Sequence, residues 1–486
     1  RIVMEREARS DETNIRRVAL LGNHLPRQCG IATFTTDLSD AISAAGPDLD
    51  CFVLAMNDGR HQHAYPGRVR FELTDSDAGA YTRAADFLNV NDIDVISVQH
   101  EYGIFGGKAG SHLLPLLREL RMPIVTTLHT ILASPNLHQR RVMDEITTLS
   151  DRLVVMTAGG ADLLRDVHGV DEEKIDIIPH GIPDIPFAGS KNRLGVEGRP
   201  LILTFGLLSP DKGIENVIDA LPTILSHYPD AVYIVLGATH PHIIERQGET
   251  YRLMLEERAK RLGVDGNIIF HNRFVSQSEL SEFLAAADIY ITPYLNPEQI
   301  TSGTLAYALG AGKAVISTPY AYAKELLAEG RGILVPWKDP SAIATQIVGL
   351  LDDPDKRMNL RRNAAAHGRA MLWPSVAHSY LRTFERRVEG LRFRRIQQCR
   401  RSARGDHRPR RPRCERTGAQ SQRGQAEERR SGAAVVVIPN RGRTRRSRPF
   451  SLTKEILMPT FLAIVAIGVV AILCWSLFRR FGADRI

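Results

Sequence analysis

Cysteine is scarce in this sequence, and its few copies are scattered. The 486 residues include five cysteines, none of them in a C-x-x-C pair, and no group of histidines has metal-ligand spacing. A disulfide framework or a structural zinc site needs such pairs or clusters, so both are disfavoured and a reducing compartment is the simple inference. The amino-terminal segment is too charged for a secretory signal peptide. Because it begins at Arg1, we expect a fragment or a start at Met4.

The sequence also lacks two glycine-rich fingerprints of nucleotide-binding proteins. No G-x-x-x-x-G-K-[ST] segment is present, which argues against a P-loop enzyme. The first predicted strand ends in GNHLPRQCGIATF rather than in G-x-G-x-x-G, so a dinucleotide-dependent dehydrogenase is disfavoured. Gly30 in this loop still leads into a helix and would let backbone approach a ligand closely. A plain helix-entry glycine is the alternative.

Lysine is absent from residues 391–450, which contain nineteen arginines and four acids. Residues 1–390 are net acidic, so the pI of 9.3 describes this tail rather than the body. Aromatic residues do not alternate with the arginines, which disfavours nucleic acid as a partner. We predict a disordered, solvated or lipid-facing linker at 391–455. A frameshifted gene end is the alternative.

One long apolar run follows the arginine-rich segment. Residues 456–478 carry no charge, and this run of 23 residues is long enough to cross a bilayer as a helix. More cations precede it than follow it, so its amino-terminal side is expected to face the cytoplasm. We therefore predict a single-pass transmembrane anchor that holds the body on the cytoplasmic face of a membrane, a prediction that fractionation of the full chain would test. A buried core helix is the alternative.

The body alternates short apolar runs with amphipathic stretches, which is typical of parallel α/β units. Seven strands are predicted first, at 18–21, 51–55, 69–71, 95–98, 124–128, 153–156 and 175–178. Six more follow a Pro- and Gly-rich segment, at 201–205, 232–236, 268–270, 289–292, 314–317 and 333–335. We predict an α/β fold of two Rossmann-like doubly wound domains, 1–183 and 184–390, facing each other across a cleft.

Two segments of the second half suit a phosphate. Residues 288–325 are predicted to form a strand, a polar loop, a short helix, a strand and a final loop. The start of that helix presents free backbone N–H groups and the positive end of a dipole. Gly206, Lys212 and Gly213 form a turn before another helix, and lysine is a point charge suited to phosphate. A surface lysine at a helix start is the alternative.

Polar side chains follow two strands of the first half. His100 and Glu101 come after the strand at 95–98, and His129 follows the strand at 124–128. Each alone is typical of an ordinary polar loop. Because the carboxyl ends of parallel strands meet at one edge of a sheet, the three together indicate a site.

These features resemble the retaining family 4 glycosyltransferases of GT-B fold. The motifs that carry the resemblance are FGLLSPDKGIENVIDAL, ADIYITPY, LAYALGAGKAVIST with the Glu325 loop, and GRGILVPWKDPSAIATQI. They are specific for the superfamily rather than for a substrate. The resemblance also implies that a helix at 375–390 crosses back toward the first half.

The resemblance further implies a nucleotide-diphosphate sugar as the donor. The donor-binding residues that it implies are Gly30, Gly206, Lys212, Gln299, Thr301, Ser302, Gly303, Thr304 and Tyr307. His129, near the sugar, and Lys212, on the diphosphate, would be the catalytic residues. His100 and Glu101 lie where an acceptor would enter.

The sequence departs from the family pattern at three positions. Leu207 stands where family members usually have arginine after the glycine of the first turn. Alignment on Gly312 places Gln299 and Tyr307 at the two positions of the usual Glu-x7-Glu pair. We interpret the chain as a divergent subfamily in which Gln299 and Tyr307 form hydrogen bonds where carboxylates normally do.

We expect retaining transfer of a hexose to a glycan or lipid-linked acceptor, without a metal and without a cofactor beyond the donor. The main chemical need is to stabilise the departing diphosphate, which a cation and a helix start can do. One alternative is a sugar phosphorylase or epimerase on the same fold. Another is a non-catalytic nucleotide-sugar-binding module, which the missing Glu pair favours.

Overall fold

The computed structural model describes residues 15–59 and 62–386, and its framework is two sets of β-strands. The strands of the first half are β1 Arg17–Gly22, β2 Asp50–Asn57, β3 Val69–Thr74, β4 Val95–His100, β5 Ile124–Leu128, β6 Arg152–Val155 and β7 Ile175–Ile177. Those of the second half are β8 Leu201–Phe205, β9 Val232–Leu236, β10 Ile268–His271, β11 Ile289–Thr292, β12 Ala314–Ser317 and β13 Ile333–Leu334.

Each half forms one sheet in which all neighbouring strands are parallel. The strand orders are β3-β2-β1-β4-β5-β6-β7 and β10-β9-β8-β11-β12-β13. In each sheet the direction in which successive strands are added reverses once. The reversal falls between β1 and β4 in the first sheet and between β8 and β11 in the second. The loops that leave the carboxyl ends of the strands diverge at these points, which is where doubly wound folds bind ligands.

Helices connect the strands and cover the sheets. They are α1 Gly30–Ala45, α2 Ala78–Val90, α3 Leu113–Glu119, α4 Leu137–Leu149, α5 Ala158–His168, α6 Ile214–His227, α7 Pro241–Gln247, α8 Thr250–Arg261, α9 Gln277–Ala286, α10 Gly303–Gly310, α11 Ala321–Leu326, α12 Pro340–Asp352 and α13 Pro354–Gly368. Residues 373–386 are also helical.

The predicted strands are all confirmed, and most of them are largely apolar because both faces of each sheet are covered. Every residue of β4, β9 and β11 is buried. A parallel sheet covered on both faces requires such continuous apolar runs. The segment around Glu325 was predicted as a loop, and this is wrong: it forms α11. A helix of six residues is too short to show an apolar period in the sequence.

Residues 373–386 return to the first half of the chain. Trp373, Val376 and Tyr380 share a buried apolar cluster with residues of β1 and β2. The Tyr380 hydroxyl lies 2.9 Å from Oγ1 of Thr127, on β5. The crossing that the family resemblance implied is therefore present, and the carboxy-terminal part of the described chain completes the core of the first sheet.

Other predictions about chain organisation are not decided by these residues. The domain boundary at 183/184 falls in the irregular segment between β7 and β8 and stays a prediction. The linker at 391–455 and the anchor at 456–478 lie outside the described residues. Among residues 15–59 and 62–386, no helix combines the length and the apolar composition needed to cross a membrane.

Candidate active site

Lys212 lies at the reversal point of the second sheet. It ends a short 3-10 turn, Pro210–Lys212, directly before α6. The next residue has a φ of +61°, and a Cβ there would collide with the carbonyl oxygen of Pro293, so the turn requires Gly213. Nζ of Lys212 lies 3.9 Å from the ring centroid of Tyr294. Burial lowers the pKa of Lys212, and Asp211 opposes the shift.

The start of α10 lies beside this lysine. Ser302 is the N-cap residue: its Oγ accepts a hydrogen bond from Leu305 N at 3.3 Å. The first helical hydrogen bond runs from Ala306 N to Ser302 O, so the amides of Gly303 and Thr304 precede it and are available to an anion. The Tyr294 hydroxyl lies 2.8 Å from Thr304 Oγ1. A single tyrosine thus contacts both the cation and the helix start.

Gly206 and Gln299 border the same region in different ways. A Cβ on Gly206 would lie 3.1 Å from Cγ2 of Thr304, and its φ of +132° favours glycine. Gln299 Nε2 donates to the carbonyl oxygen of Thr301 at 2.9 Å, which braces the loop before α10. Oγ1 of Thr301 is buried without a hydrogen-bond partner in the described part of the chain. The structure therefore brings together Gly206, Lys212 and the residues from 299 to 304; their roles remain predictions.

Tyr307 points toward the first half of the chain. Its hydroxyl donates to Asp37 Oδ2, on α1, at 3.0 Å. The side chain is buried, and its ring lies 6.1 Å from that of His180 and 6.4 Å from that of Phe205. Tyr307 therefore already has a protein partner, and its predicted hydrogen bond to the donor stays a prediction.

His180 follows β7 and packs against the first residue of α10. A Cβ on Gly303 would lie 3.0 Å from His180 Nε2. The other ring nitrogen, Nδ1, donates to the carbonyl oxygen of Gly181 at 2.7 Å, which leaves Nε2 as an acceptor. Burial lowers the pKa of His180 to about 4, so the ring is neutral at physiological pH.

His129 belongs to an aromatic cluster around Phe34. The Phe34 ring lies 4.8 Å from the ring of His129, 5.1 Å from that of His180 and 5.2 Å from that of Trp373. His129 Nε2 lies 3.1 Å from Gln99 Oε1. Burial lowers the pKa of His129 to about 3, so this imidazole is a neutral hydrogen-bonding group rather than a proton donor at neutral pH. One phenylalanine of α1 thus joins His129 to the residue that packs on α10.

The two acceptor-side candidates are enclosed by their own loops. His100 is fully buried, both of its ring nitrogens lack a partner within the residues described, and burial lowers its pKa to about 3. The Glu101 carboxylate accepts from Tyr102 N at 3.0 Å and from Thr130 Oγ1 at 2.5 Å. His129 N donates to His100 O, so these strand ends do adjoin. Contact with an acceptor remains a prediction for His100 and Glu101.

Gly30 lies in open space at the start of α1. It is exposed at the start of α1, and a Cβ there would meet no atom within 4 Å. The N-cap of α1 is Cys29, whose Sγ accepts from Ala32 N. Local packing therefore does not require glycine at position 30, and the place of Gly30 near the diphosphate stays a prediction.

Three residues that join parts of the site were not predicted from the sequence. Asp37 lies within an amphipathic helix and carries no motif. His180 lies in the Pro- and Gly-rich segment between the two predicted sets of strands, although it follows a strand just as His100 and His129 do. Tyr294 lies in the quoted motif ADIYITPY but was not singled out. His180 and Tyr294 could have been found by considering the polar residues after every predicted strand, because ligands bind at the carboxyl ends of parallel strands.

A carboxylate of the second half caps a helix of the first. Glu325, on α11, accepts hydrogen bonds from Ala158 N at 2.8 Å and from Gly159 N at 3.1 Å, the first two amides of α5. Amides at a helix start lack helical partners, and the dipole there favours a negative charge. This contact therefore helps to hold the two halves together.

Glu325→Ala should lower the free energy of unfolding by about 1 kcal/mol, because both amides lose their acceptor. Urea unfolding at low ionic strength measures the change. Glu257→Ala, at an exposed glutamate on α8, is the matched control and should leave the free energy nearly unchanged. Equal losses in the two variants would contradict a capping role for Glu325.

Chemically, the arrangement places a cation and free backbone amides close together, with neutral imidazoles nearby. The described residues contain no group of three or more His, Cys, Asp or Glu side chains placed to hold a metal ion. Two parallel-sheet domains with a lysine and a helix start at the reversal point of the second sheet define the class of GT-B proteins.

Comparison with known families agrees with this class. Residues 29–184 match the model described as Glycosyltransferase Family 4, and residues 189–367 match Glycosyl transferases group 1. The chain belongs to the family 4-like glycosyltransferases of GT-B fold.

Two curated proteins illustrate the sequence similarity. The D-inositol 3-phosphate glycosyltransferase of Corynebacterium kroppenstedtii is 29% identical over 313 residues, which cover 58% of this chain and 65% of that protein. The phosphatidyl-myo-inositol mannosyltransferase of Mycolicibacterium smegmatis is 24% identical over 313 residues, 63% of this chain and 74% of that protein. The chain thus spans just under two thirds of the length of the first of these relatives.

Solved structures share the fold at lower identity. Anabaena HepE in complex with UDP and glucose superposes with a TM-score of 0.61 at 19% identity, covering 75% of this chain and 98% of that one. Sucrose-phosphate synthase from Thermosynechococcus elongatus superposes with a TM-score of 0.61 at 17% identity, covering 79% and 100%. At these identities the likeness concerns the fold alone.

Proposed function

We propose that this chain transfers a hexose from a nucleotide-diphosphate sugar to a hydroxyl of a glycan or lipid-linked acceptor, with retention and without a metal. The observation that carries the proposal is the convergence of Lys212, Gly206 and the start of α10 at one sheet edge. UDP is the first nucleotide to test, because it is the one bound to HepE.

The chemistry follows from the charge that develops on the leaving group. As the bond between the sugar C1 and the phosphate oxygen breaks, negative charge grows on the diphosphate. Lys212 and the amides of Gly303 and Thr304 supply positive charge there. The acceptor hydroxyl then attacks C1 on the same face, and a diphosphate oxygen takes its proton. Burial favours the neutral form of His129, which suits a hydrogen bond to the sugar.

Membrane attachment belongs to the proposal on sequence grounds alone. The lipid-linked class of acceptor fits a chain held at the cytoplasmic face by residues 456–478. Among the relatives, one name contains an inositol phosphate and another a phosphatidylinositol. These two compounds, together with simple glycans, form a suitable first acceptor panel.

The test is a transfer assay of the full chain with UDP- and GDP-hexoses against this acceptor panel. We expect acceptor-dependent release of the nucleoside diphosphate and a new glycoside, unchanged by EDTA. The anomeric proton coupling of the product reports retention or inversion. Sugar phosphate formed from inorganic phosphate would instead identify a phosphorylase. Conversion of the donor sugar without acceptor would identify an epimerase, and tight binding without any product a non-catalytic module.

A further inference from the structure

Tyr294 connects the two groups that are proposed to hold the diphosphate. It lies two residues after β11 and is 1% exposed. Lys212 Nζ lies over the face of its ring, at 3.9 Å from the centroid. Its hydroxyl lies 2.8 Å from Thr304 Oγ1, which in turn lies 3.1 Å from Ser302 Oγ, the N-cap atom of α10. An unbroken chain of contacts thus runs from the ammonium to the helix start.

The Tyr294 ring is itself fixed by its surroundings. It stacks on the ring of Tyr320, with centroids 5.5 Å apart and planes inclined by 18°. Its carbonyl oxygen accepts a hydrogen bond from Thr318 Oγ1 at 2.5 Å. The next amide, that of Leu295, donates to Asp211 O at 2.8 Å, in the turn that carries Lys212. Backbone and side chain therefore both tie Tyr294 to the lysine turn.

The contact with Tyr294 compensates for the burial of the Lys212 ammonium. Burial lowers the pKa of Lys212, so its charged form needs a compensating partner when no phosphate is bound. The electron-rich face of a tyrosine attracts a cation, and does so more strongly where water is excluded. A ring, unlike a carboxylate, provides this attraction without a negative charge that would repel a phosphate.

We propose that Tyr294 is a positioning residue: its ring holds Lys212, and its hydroxyl holds the N-cap of α10, in the arrangement that receives a diphosphate. This inference rests on the proposed function, because it assumes that Lys212 binds the diphosphate. The two roles use different atoms of one side chain, so they can be separated by substitution.

The ring is tested with Tyr294→Leu, using calorimetric binding of UDP to the full chain. Loss of one desolvated cation–π contact should weaken UDP binding about tenfold. The same substitution in a Lys212→Ala background should cost only the about threefold loss that is due to the hydroxyl, because the cation is already absent. An equal loss in both backgrounds would overturn the role of the ring.

The hydroxyl is tested with Tyr294→Phe and Thr304→Val, which remove the two ends of one hydrogen bond. Each should weaken UDP binding about threefold, and the double variant no more than either single one. Additive losses would overturn the role of the hydroxyl. Tyr81→Phe removes a buried hydroxyl on α2 that donates to the carbonyl oxygen of Asp75 instead, and it should leave UDP affinity unchanged.

Two controls keep the outcomes distinct. Thermal unfolding of each variant identifies loss of affinity through misfolding. If Tyr294→Leu does not fold, the variants Tyr294→Phe and Thr304→Val alone decide whether Tyr294 and Thr304 are coupled in UDP binding. If the wild-type chain binds neither UDP nor GDP, the proposed function fails. If it binds and the cycles show no coupling, only the inference about Tyr294 fails.

Discussion

Lys212→Ala should lower the turnover of sugar transfer about a hundredfold, the typical effect of removing one donor that stabilises a charged transition state. The ammonium sits at the reversal point of the second sheet, beside the amides of Gly303 and Thr304. It is the side-chain cation that Tyr294 holds there. Charge grows on the diphosphate as the sugar bond breaks, so the loss should fall on kcat rather than on KM alone.

Steady-state kinetics on the full chain, with the donor identified in the transfer assay, measures this effect. Lys260→Ala, at an exposed lysine on α8, is the matched control and should retain wild-type turnover. A higher KM with unchanged kcat would mean that Lys212 binds ground state and transition state equally. Unchanged kinetics would remove Lys212 from the mechanism.

Asp37→Asn should stabilise the protein at pH 7.5 but not at pH 4. Burial raises the pKa of Asp37 from 3.8 to about 6, while the hydrogen bond from Tyr307 acts in the opposite direction. Between pH 3.8 and about pH 6, the Asp37 carboxyl is protonated in the folded state but ionised in the unfolded state. Stability therefore falls as pH rises through this window, and the penalty is complete above pH 6.

Asparagine cannot ionise, but its amide oxygen can still accept the hydrogen bond from Tyr307. We expect a gain of about 3 kcal/mol in the free energy of unfolding at pH 7.5, which follows from the rise of the Asp37 pKa from 3.8 to about 6. Urea unfolding at pH 4 and at pH 7.5 measures it. Asp40→Asn, on the same helix but more exposed, should show no such gain. A gain of the same size at both pH values would contradict the assignment to ionisation.

The sequence predicted the architecture well because parallel strands leave a strong local signal. Strands such as β9, VYIVL, are continuous apolar runs bounded by polar turns. The start of α10 was also predictable, since a Thr/Ser/Gly loop before small residues is a local pattern. The two strand-end histidines were found by the same reasoning, and both proved to be buried.

The contacts between the halves were not predictable in this way. Tyr307 and Asp37 are 270 positions apart, and Glu325 lies 167 positions from the amide that it caps. Neither pair leaves a periodic or motif signal, because the partners meet only when both sheets are complete. Tyr307 was interpreted as a substitute for a donor-binding acid, whereas in the structure its hydroxyl bonds a carboxylate of the first half.

The return of residues 373–386 to the first sheet has a consequence for synthesis on the ribosome. The apolar cluster on β1 and β2 includes Tyr380 and Phe384, so part of that surface stays uncovered until almost the whole described chain has emerged. The first half therefore cannot finish folding before the second half is made. A nascent chain stalled between the two would present an apolar patch to chaperones, and a separately expressed first half would be prone to aggregate.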